Sequence, residues 1–329
     1  MRAPVRMKRP GDERGIALVL VVLVMTLIVS VTLRFNASSR TRVYEAANTG
    51  DGIILEHVSK SCIAVGRYVL KEEDGDVVSL RDDWARAGEV SLQSAAAFGI
   101  GHCEVRVVDE SGKIPLNMLV DENGVVEVWH DVLERFFSLP LFGLSEQEAC
   151  DIVDAVTDWI DEDDDITGFG AERGYYRGLA SPCDCKNGPL DTIDELLLVK
   201  GVTEDLFHGR DDVPGIREFL TVHETGGVNI NTAPQPVLQA LSPRITAGMA
   251  DDMDRYRRDE NNDLSASSWY RRVPGMSDVT IEAELVRVRS DVFSIESTGR
   301  LDSMIRRITA VVKRERPGDM PVILSWTVD

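Results

Sequence analysis

The chain of 329 residues is 43% hydrophobic and 28% charged, which supplies enough apolar material for packed domains and excludes wholesale disorder. Aspartate and glutamate number 56 against 36 lysines and arginines, a formal charge of −20. That excess argues against nucleic acid as a partner, because phosphate contacts need clustered cations, and suits a polyvalent cation or a basic protein surface. Five cysteines in so long a chain exclude a disulfide-dense mini-scaffold and leave at least one thiol unpaired within the chain.

The first 15 residues carry Arg2, Arg6, Lys8, Arg9 and Arg14 against Asp12 and Glu13, a net +3. Ile16 to Leu33 follow, 18 residues with no charge, Gly or Pro. At ~1.5 Å per residue this run spans ~27 Å, close to the apolar thickness of a bilayer. It exceeds a secretory h-region and no small-x-small cleavage site follows it, so it predicts a retained membrane helix, residues 16–33 contacting lipid. The basic flank places the start in the cytoplasm and the bulk beyond Arg34 outside, where disulfides are permitted. Val43, Ala46, Ala47, Gly50, Ile54, Val58, Cys62, Val65 and Val69 recur at helical spacing, predicting an amphipathic continuation that packs on a sheet, with a bend at Gly50 and Gly52.

Cys103 to Val108 reads as a strand followed by a turn over Asp109 to Gly112, and residues 291–296 and 304–313 read as a terminal hairpin around Gly299 to Ser303. Between them lie helical signals. Ser145 with Glu148 and Thr192 with Glu195 make capping-box patterns. A helical block interrupting a β region predicts a domain inserted into a small α+β domain.

Six carboxylates fall between Asp158 and Asp165. Asp161, Asp163 and Asp165 take positions 1, 3 and 5 of an EF-hand-like loop and Glu172 takes position 12, although Ile166 stands where that loop needs Gly. Hard oxygen ligands in this number predict a looser calcium loop built from Asp158, Asp161, Asp163, Asp165 and Glu172, with Asp164 a weaker candidate. Asp184, Asp191 and Asp194 are weaker candidates for a second site, since Asp191 and Asp194 also serve as helix N-terminal acids. Cys183 and Cys185 have the wrong gap for a zinc knuckle; a disulfide from one of them to Cys150 or Cys103 would brace the loop, and Cys62 reads as a buried thiol. The five histidines form no HExxH pair, and no nucleophile elbow or Walker A loop occurs, so no catalytic residue or organic cofactor is predicted. Val199-Lys200-Gly201 and Val273-Pro274-Gly275 look like helix-hairpin-helix elements, the first ringed by acids and the second flanked by Arg271 and Arg272.

Arg14-Gly15 before Ile16-Ala17-Leu18 resembles the class III signal of type IV pilins and pseudopilins. The resemblance implies cleavage by prepilin peptidase between Gly15 and Ile16, with methylation of the new terminus. Most of that family carry Glu at the fifth mature position; here it is Leu20, as in the minor pseudopilin K subtype of type II secretion. Gly112-Lys113 with Asn117, Asp158-Trp159-Ile160-Asp161, Gly170-Ala171-Glu172, Tyr175-Tyr176, Asn187-Gly188-Pro189-Leu190 and Asn229 to Pro234 resemble further signatures of that subtype. The resemblance implies an α+β pilin fold, a long, partly transmembrane helix packed on an antiparallel sheet, with a large helical insertion that binds Ca2+. It implies residues 1–15 as cleaved leader, 16–33 as membrane helix, 34–112 as amphipathic helix and first strands, 113–276 as inserted domain and 277–329 as closing strands. It also implies a single-pass protein of the bacterial inner membrane with its bulk in the periplasm. The implied role is a non-catalytic tip subunit of the secretion pseudopilus. Its partners would be the minor pseudopilins I and J, other pseudopilins, the inner-membrane assembly platform and prepilin peptidase. The alternative is a minor type IV pilin that acts in adhesion, or in DNA capture through the hairpin elements.

Overall fold

The structure, a computed structural model, describes residues 13–73, 76–88 and 101–328. The leader positions Arg2, Arg6, Lys8 and Arg9 lie outside the described residues. Helix α1 runs from Glu13 to Glu72, unbroken at Gly50 and Gly52, so the predicted bend does not interrupt the helix. A Gly inside a helix costs only about 1 kcal/mol, and no Pro is present to break the hydrogen-bond ladder.

Residues up to His57 form one unit. Within it Ile16 to Leu33 present their apolar side chains outward, and this is the one helix among the described residues long and apolar enough to cross a membrane, with a mean hydropathy of 3.0. Its two threonine hydroxyls are satisfied inside the helix: Thr26 Oγ1 donates to the Leu23 carbonyl at 2.9 Å and Thr32 Oγ1 to that of Ile28 at 2.8 Å. That removes the cost of two polar groups in hydrocarbon.

The second unit begins at Val58. Here the α1 face buried on the sheet consists of Val58, Ser59, Cys62, Ile63, Gly66 and Leu70. The predicted stripe is thus partly displaced: Val58 and Cys62 are buried, whereas Val65 is exposed, as are Val43 and Ile54 in the first unit. The close approach at Gly66 explains the turn of the face. A Cβ there would stand 2.8 Å from Ile295 Cγ2 and 3.5 Å from Val105 Cγ1, so helix and sheet meet where a side chain is missing. Cys62 is joined by a disulfide to Cys103, and Cys150, Cys183 and Cys185 are free. This corrects both the buried thiol expected at Cys62 and the bridge expected among the loop cysteines. Cys62 and Cys103 are both buried in the core between helix and sheet, which brings them together.

The sheet has four antiparallel strands, β1 (His102–Asp109), β6 (Val292–Leu301), β7 (Met304–Lys313) and β8 (Val322–Val328), in the order β1-β6-β7-β8. Cys103, Val105 and Val107 alternate inward along β1, and Phe293 lies opposite Val312 across β6 and β7. The predicted hairpin exists, its second strand with the predicted bounds and its first extended to Leu301, turning at Asp302 with φ 50°. β8 lies beyond the predicted hairpin, within the 277–329 segment expected to close the sheet.

A second core lies between Ile114 and Leu285. It contains α2 (Glu127–Phe137), α3 (Glu146–Ile160), α4 (Arg173–Arg177), α5 (Glu204–His208), α6 (Gln235–Ala240) and α7 (Ala247–Arg258). Short strand pairs stitch it: β2 (Ile114–Pro115) pairs with β3 (Leu220–Thr221), and β4 (Val228–Asn229) with β5 (Val286–Arg287), both parallel. The packing therefore runs past Met276 to Leu285. The Ser145 capping box starts α3; the Thr192 box starts a 3₁₀ helix, Ile193–Leu198. Where the two cores meet, the end of β1 is tied to the insertion by buried Asp109, whose Oδ2 accepts from Ser290 Oγ at 2.5 Å, Thr232 Oγ1 at 2.6 Å and Asn229 Nδ2 at 3.2 Å.

The Gly66 contact yields a paired test. Gly66→Leu should destabilise the protein by about 1–3 kcal/mol through overpacking. Gly50→Leu, where a Cβ meets nothing within 4 Å, should not destabilise it. Denaturant unfolding of the full chain in detergent checks this, and equal effects of the two substitutions would remove the proposed role of the Gly66 approach.

Candidate metal centre

Helix α3 is amphipathic, and its last two turns carry Asp154 and Asp158 on the face that meets the following loop. The helix ends at Ile160, and Asp161 is extended, with its amide bonded to the Thr157 carbonyl at 2.9 Å. From there to Glu172 the chain has almost no regular structure, so its order comes from side chains. Asp158 Oδ1 accepts from the Thr167 amide at 2.9 Å, and Asp154 Oδ2 accepts from the Phe169 amide at 2.8 Å. Gly168, at φ +48°, and Gly170 let the loop lie on these carboxylates, since a Cβ at either would collide with Asp154 or Asp158. Lys200 clamps the far side, its Nζ donating to the Phe169 carbonyl at 2.6 Å and the Gly170 carbonyl at 3.1 Å.

This folding brings one oxygen each of Asp158, Asp161 and Glu172 within 4.8 Å of one another. All three residues are buried, and Asp158 Oδ2, Asp161 Oδ1 and Glu172 Oε1 have no hydrogen-bond partner. Asn187 Oδ1 is a fourth buried oxygen without a partner, on a side chain whose amide nitrogen donates to the Asp163 carbonyl. Unpaired buried carboxylate oxygens are among the costliest groups a protein can hold. The electrostatics record the strain. Burial, then the charges of Asp163, Asp158 and Glu172, push the Asp161 carboxyl up to about 7. Burial also raises Asp158, and burial with the Asp158 charge raises Glu172.

The donor set fits a hard divalent cation. Two ligand oxygens on opposite sides of a calcium ion, at about 2.4 Å each, are about 4.8 Å apart. The oxygens are all carboxylate or amide, which excludes the soft-ligand metals.

The EF-hand spacing is not what gathers the ligands. Asp163 and Asp165 are exposed and are not among the clustered oxygens; Asp163 Oδ1 accepts from the Asp165 amide at 2.8 Å, closing a local turn, and its charge acts on Asp161 from there. Asp164 pairs with Arg173 at 3.1 Å. Asp184 faces Arg177 at 2.6 Å, Asp191 faces Lys186 at 2.6 Å and Asp194 lies 4.0 Å from Arg217, so none of these joins the cluster. Asn187, from the Asn187 to Leu190 segment, reaches the loop through its amide nitrogen, which donates to the Asp163 carbonyl and to Asp164 Oδ1 at 3.2 Å. Around the centre, Tyr176 packs edge-on against Trp159, with ring centroids 4.9 Å apart, and the Cys185 thiol donates to the Asp158 carbonyl at 3.4 Å.

Comparison with known proteins places this centre in a family context. The family model described as type II secretion system protein K matches residues 112–209, which include the whole centre. Type II secretion system protein K of Aeromonas hydrophila is 26% identical over 208 residues, 59% of this chain and 61% of that protein. The Klebsiella pneumoniae protein of the same name is 24% identical over 243 residues, 70% of this chain and 69% of that protein. The putative type II secretion system protein K of Escherichia coli K12 is 22% identical over 203 residues, 60% of each chain. The chain thus spans about three fifths of the length of two of these relatives. A chain in the crystal structure of the GspK-GspI-GspJ complex from enterotoxigenic Escherichia coli superposes with a TM-score of 0.68 at 17% identity, covering 87% of this chain and 99% of that one, which shows a shared fold. Residues 112–209 thus match the family model of type II secretion system protein K, and the chain as a whole shares the fold of the matched chain in that complex.

Proposed function

We propose that this chain is a minor pseudopilin at the tip of a type II secretion pseudopilus, a non-catalytic assembly component. The observation that carries the reading is the combination in one chain of an apolar amino-terminal helix, a helix-on-sheet unit and an inserted domain matching protein K. In this reading Ile16 to Leu33 anchor the subunit in the bacterial inner membrane, and the chain beyond them occupies the periplasm. The insertion is too bulky to let a further subunit add above it. Relatives of the I and J proteins in the neighbouring complex are the proposed partners, followed by other pseudopilins, the inner-membrane assembly platform and prepilin peptidase.

Calcium is the proposed ion at Asp158, Asp161 and Glu172, with the Asn187 side-chain oxygen as a further ligand. It would neutralise the cluster and hold the 161–172 loop, stabilising the folded chain by mass action. DNA capture is less favoured. Lys200 of the first hairpin spends its ammonium on two loop carbonyls, and in the second Arg271 lies over the Tyr270 ring and Arg272 lies 3.6 Å from Asp263.

Two outcomes are expected. Gly15→Ala should leave the precursor uncut in cells containing prepilin peptidase; normal processing would remove the pseudopilin reading. The second concerns pH. Without metal, Asp161 holds its proton up to about 7 in the folded state and loses it near 3.8 when unfolded. The folded chain then binds more protons across that window, so stability is highest at acid pH and declines as pH rises through about 7. Asp158 and Glu172 are shifted in the same direction. In chelator the full chain in detergent should therefore melt lower at neutral pH than in mild acid, and Asp161→Asn should flatten the trend. A melting temperature that climbs over this range, or a slope unaltered in Asp161→Asn, would contradict it.

A further inference from the structure

A cavity of about 620 Å³ opens on the inserted domain, at residues that the carboxylate triad does not use. Its walls are the turn Pro140–Phe142, the first half of α3, the hairpin at Lys200 and Gly201 with α5 behind it, and the strand pair Gly209–Arg210 with Val213–Pro214. These walls are fixed from behind. Phe142 packs on Phe136 and Phe219, with ring centroids 4.9 and 6.2 Å away. Gly201, at φ +89°, lies so close to α3 that a Cβ there would stand 2.8 Å from Ile152 Cγ1. Lys200 is anchored by its bonds to the Phe169 and Gly170 carbonyls. The hairpin that looks like a nucleic-acid element in the sequence is thus one wall of a preformed cleft, of a volume within the range of about 300–1,000 Å³ usual for binding sites.

The floor is apolar, made by Leu141, Phe142, Leu144, Ile152, Leu206 and Val213. Leu141 is 36% and Val213 41% exposed, so apolar surface there stays open to water. The rim is acidic: Glu148, Asp151, Asp205 and Asp211 stand against Lys200 and Arg210, four carboxylates to two cations. Arg210 is shared by Asp205 at 3.1 Å and Asp211 at 3.7 Å. Lys200 turns its ammonium to the two loop carbonyls. Glu148 accepts from Ser145 and Asp151 from Gln147 Nε2 at 2.7 Å, neutral donors that leave both charges uncompensated. An anion would be repelled here, and a wholly apolar molecule would strip water from the acids without pairing them.

We propose that this cavity is a docking site for a segment of a partner protein in which apolar side chains are flanked by lysine or arginine. The apolar side chains would cover Leu141, Leu206 and Val213, and a flanking cation would pair with Asp151 and Glu148. Burial at the floor supplies affinity, and the acidic rim selects and steers the basic segment. The site needs neither the pseudopilin role nor a cation at the triad.

The test places the full chain in phosphatidylcholine nanodiscs with excess calcium. It follows by anisotropy a fluorescent peptide in which leucine and phenylalanine alternate with lysine, with binding to empty discs subtracted. One counterpart peptide has glutamate for lysine, and another has serine for the apolar residues. The lysine peptide should bind saturably, about tenfold or more tighter than either counterpart, and salt should weaken it. Leu141→Lys and Val213→Lys, both at exposed positions, should each weaken it by about tenfold or more. Leu198→Lys, at a residue 52% exposed and outside the cavity, should leave it unchanged. Asp151→Lys should weaken the lysine peptide and strengthen the glutamate one. No saturable binding, equal binding of the lysine and glutamate peptides, or binding unaltered by Leu141→Lys and Val213→Lys would overturn the assignment.

Discussion

Mutual repulsion among the carboxylates of Asp158, Asp161 and Glu172 is the constraint on which the inserted domain turns. Three acids in a buried space, each with an oxygen that no donor reaches, leave the fold two options. It can take up protons, which the raised Asp161 carboxyl shows it doing below about 7, or it can take up a cation. The loop between Asp161 and Glu172 has little apolar packing of its own, with Ile166 and Phe169 exposed. Its position depends on amides bonded to Asp154 and Asp158 and on the Lys200 clamp. Charge compensation at the triad is therefore also what fixes the loop.

A second polar knot joins the insertion to the helix-on-sheet unit. Asp109 ends β1, Ser290 precedes β6, and Asn229 and Thr232 belong to the insertion; all four are buried and mutually bonded. Asn229 Nδ2 also donates to the Val78 carbonyl at 3.1 Å, drawing in the segment after α1. Burial raises the Asp109 carboxyl, and its hydrogen bonds oppose that shift. Such a fully satisfied node adds geometric specificity where two cores with different packing meet. It also gives the Asn229 to Pro234 segment a mechanical reason for its composition, as Asn231 in turn accepts from Trp269 Nε1 at 2.7 Å.

Much of this was legible in the amino acids because it follows from local periodicity and composition. The apolar run, the helical block between β segments and the Ser145 cap all rest on contacts within a few residues. The carboxylate cluster was legible as a cluster, and three of its members, Asp158, Asp161 and Glu172, were named. What could not be read was which acids point inward. A regular loop template suggested Asp163 and Asp165, but the Asp163 turn and the glycines at 168 and 170 redirect the chain. Asn187 comes from a distant segment and has no local signature. The α1 face was misplaced by one position because its register is set by Ile295 and Val105, far along the chain. The cysteine pairing was opaque for the same reason, being decided by how helix meets sheet.

The account rests on a cation at the triad, and thermal unfolding of the full chain in detergent at neutral pH tests that most directly. Calcium in excess should raise the melting temperature well above that in chelator, and magnesium should do so far less, because its small octahedral shell suits a three-carboxylate cage poorly. Coincident melting curves in calcium and in chelator would mean that the buried carboxylates are neutralised by protons alone, and the centre described here would not be a metal site.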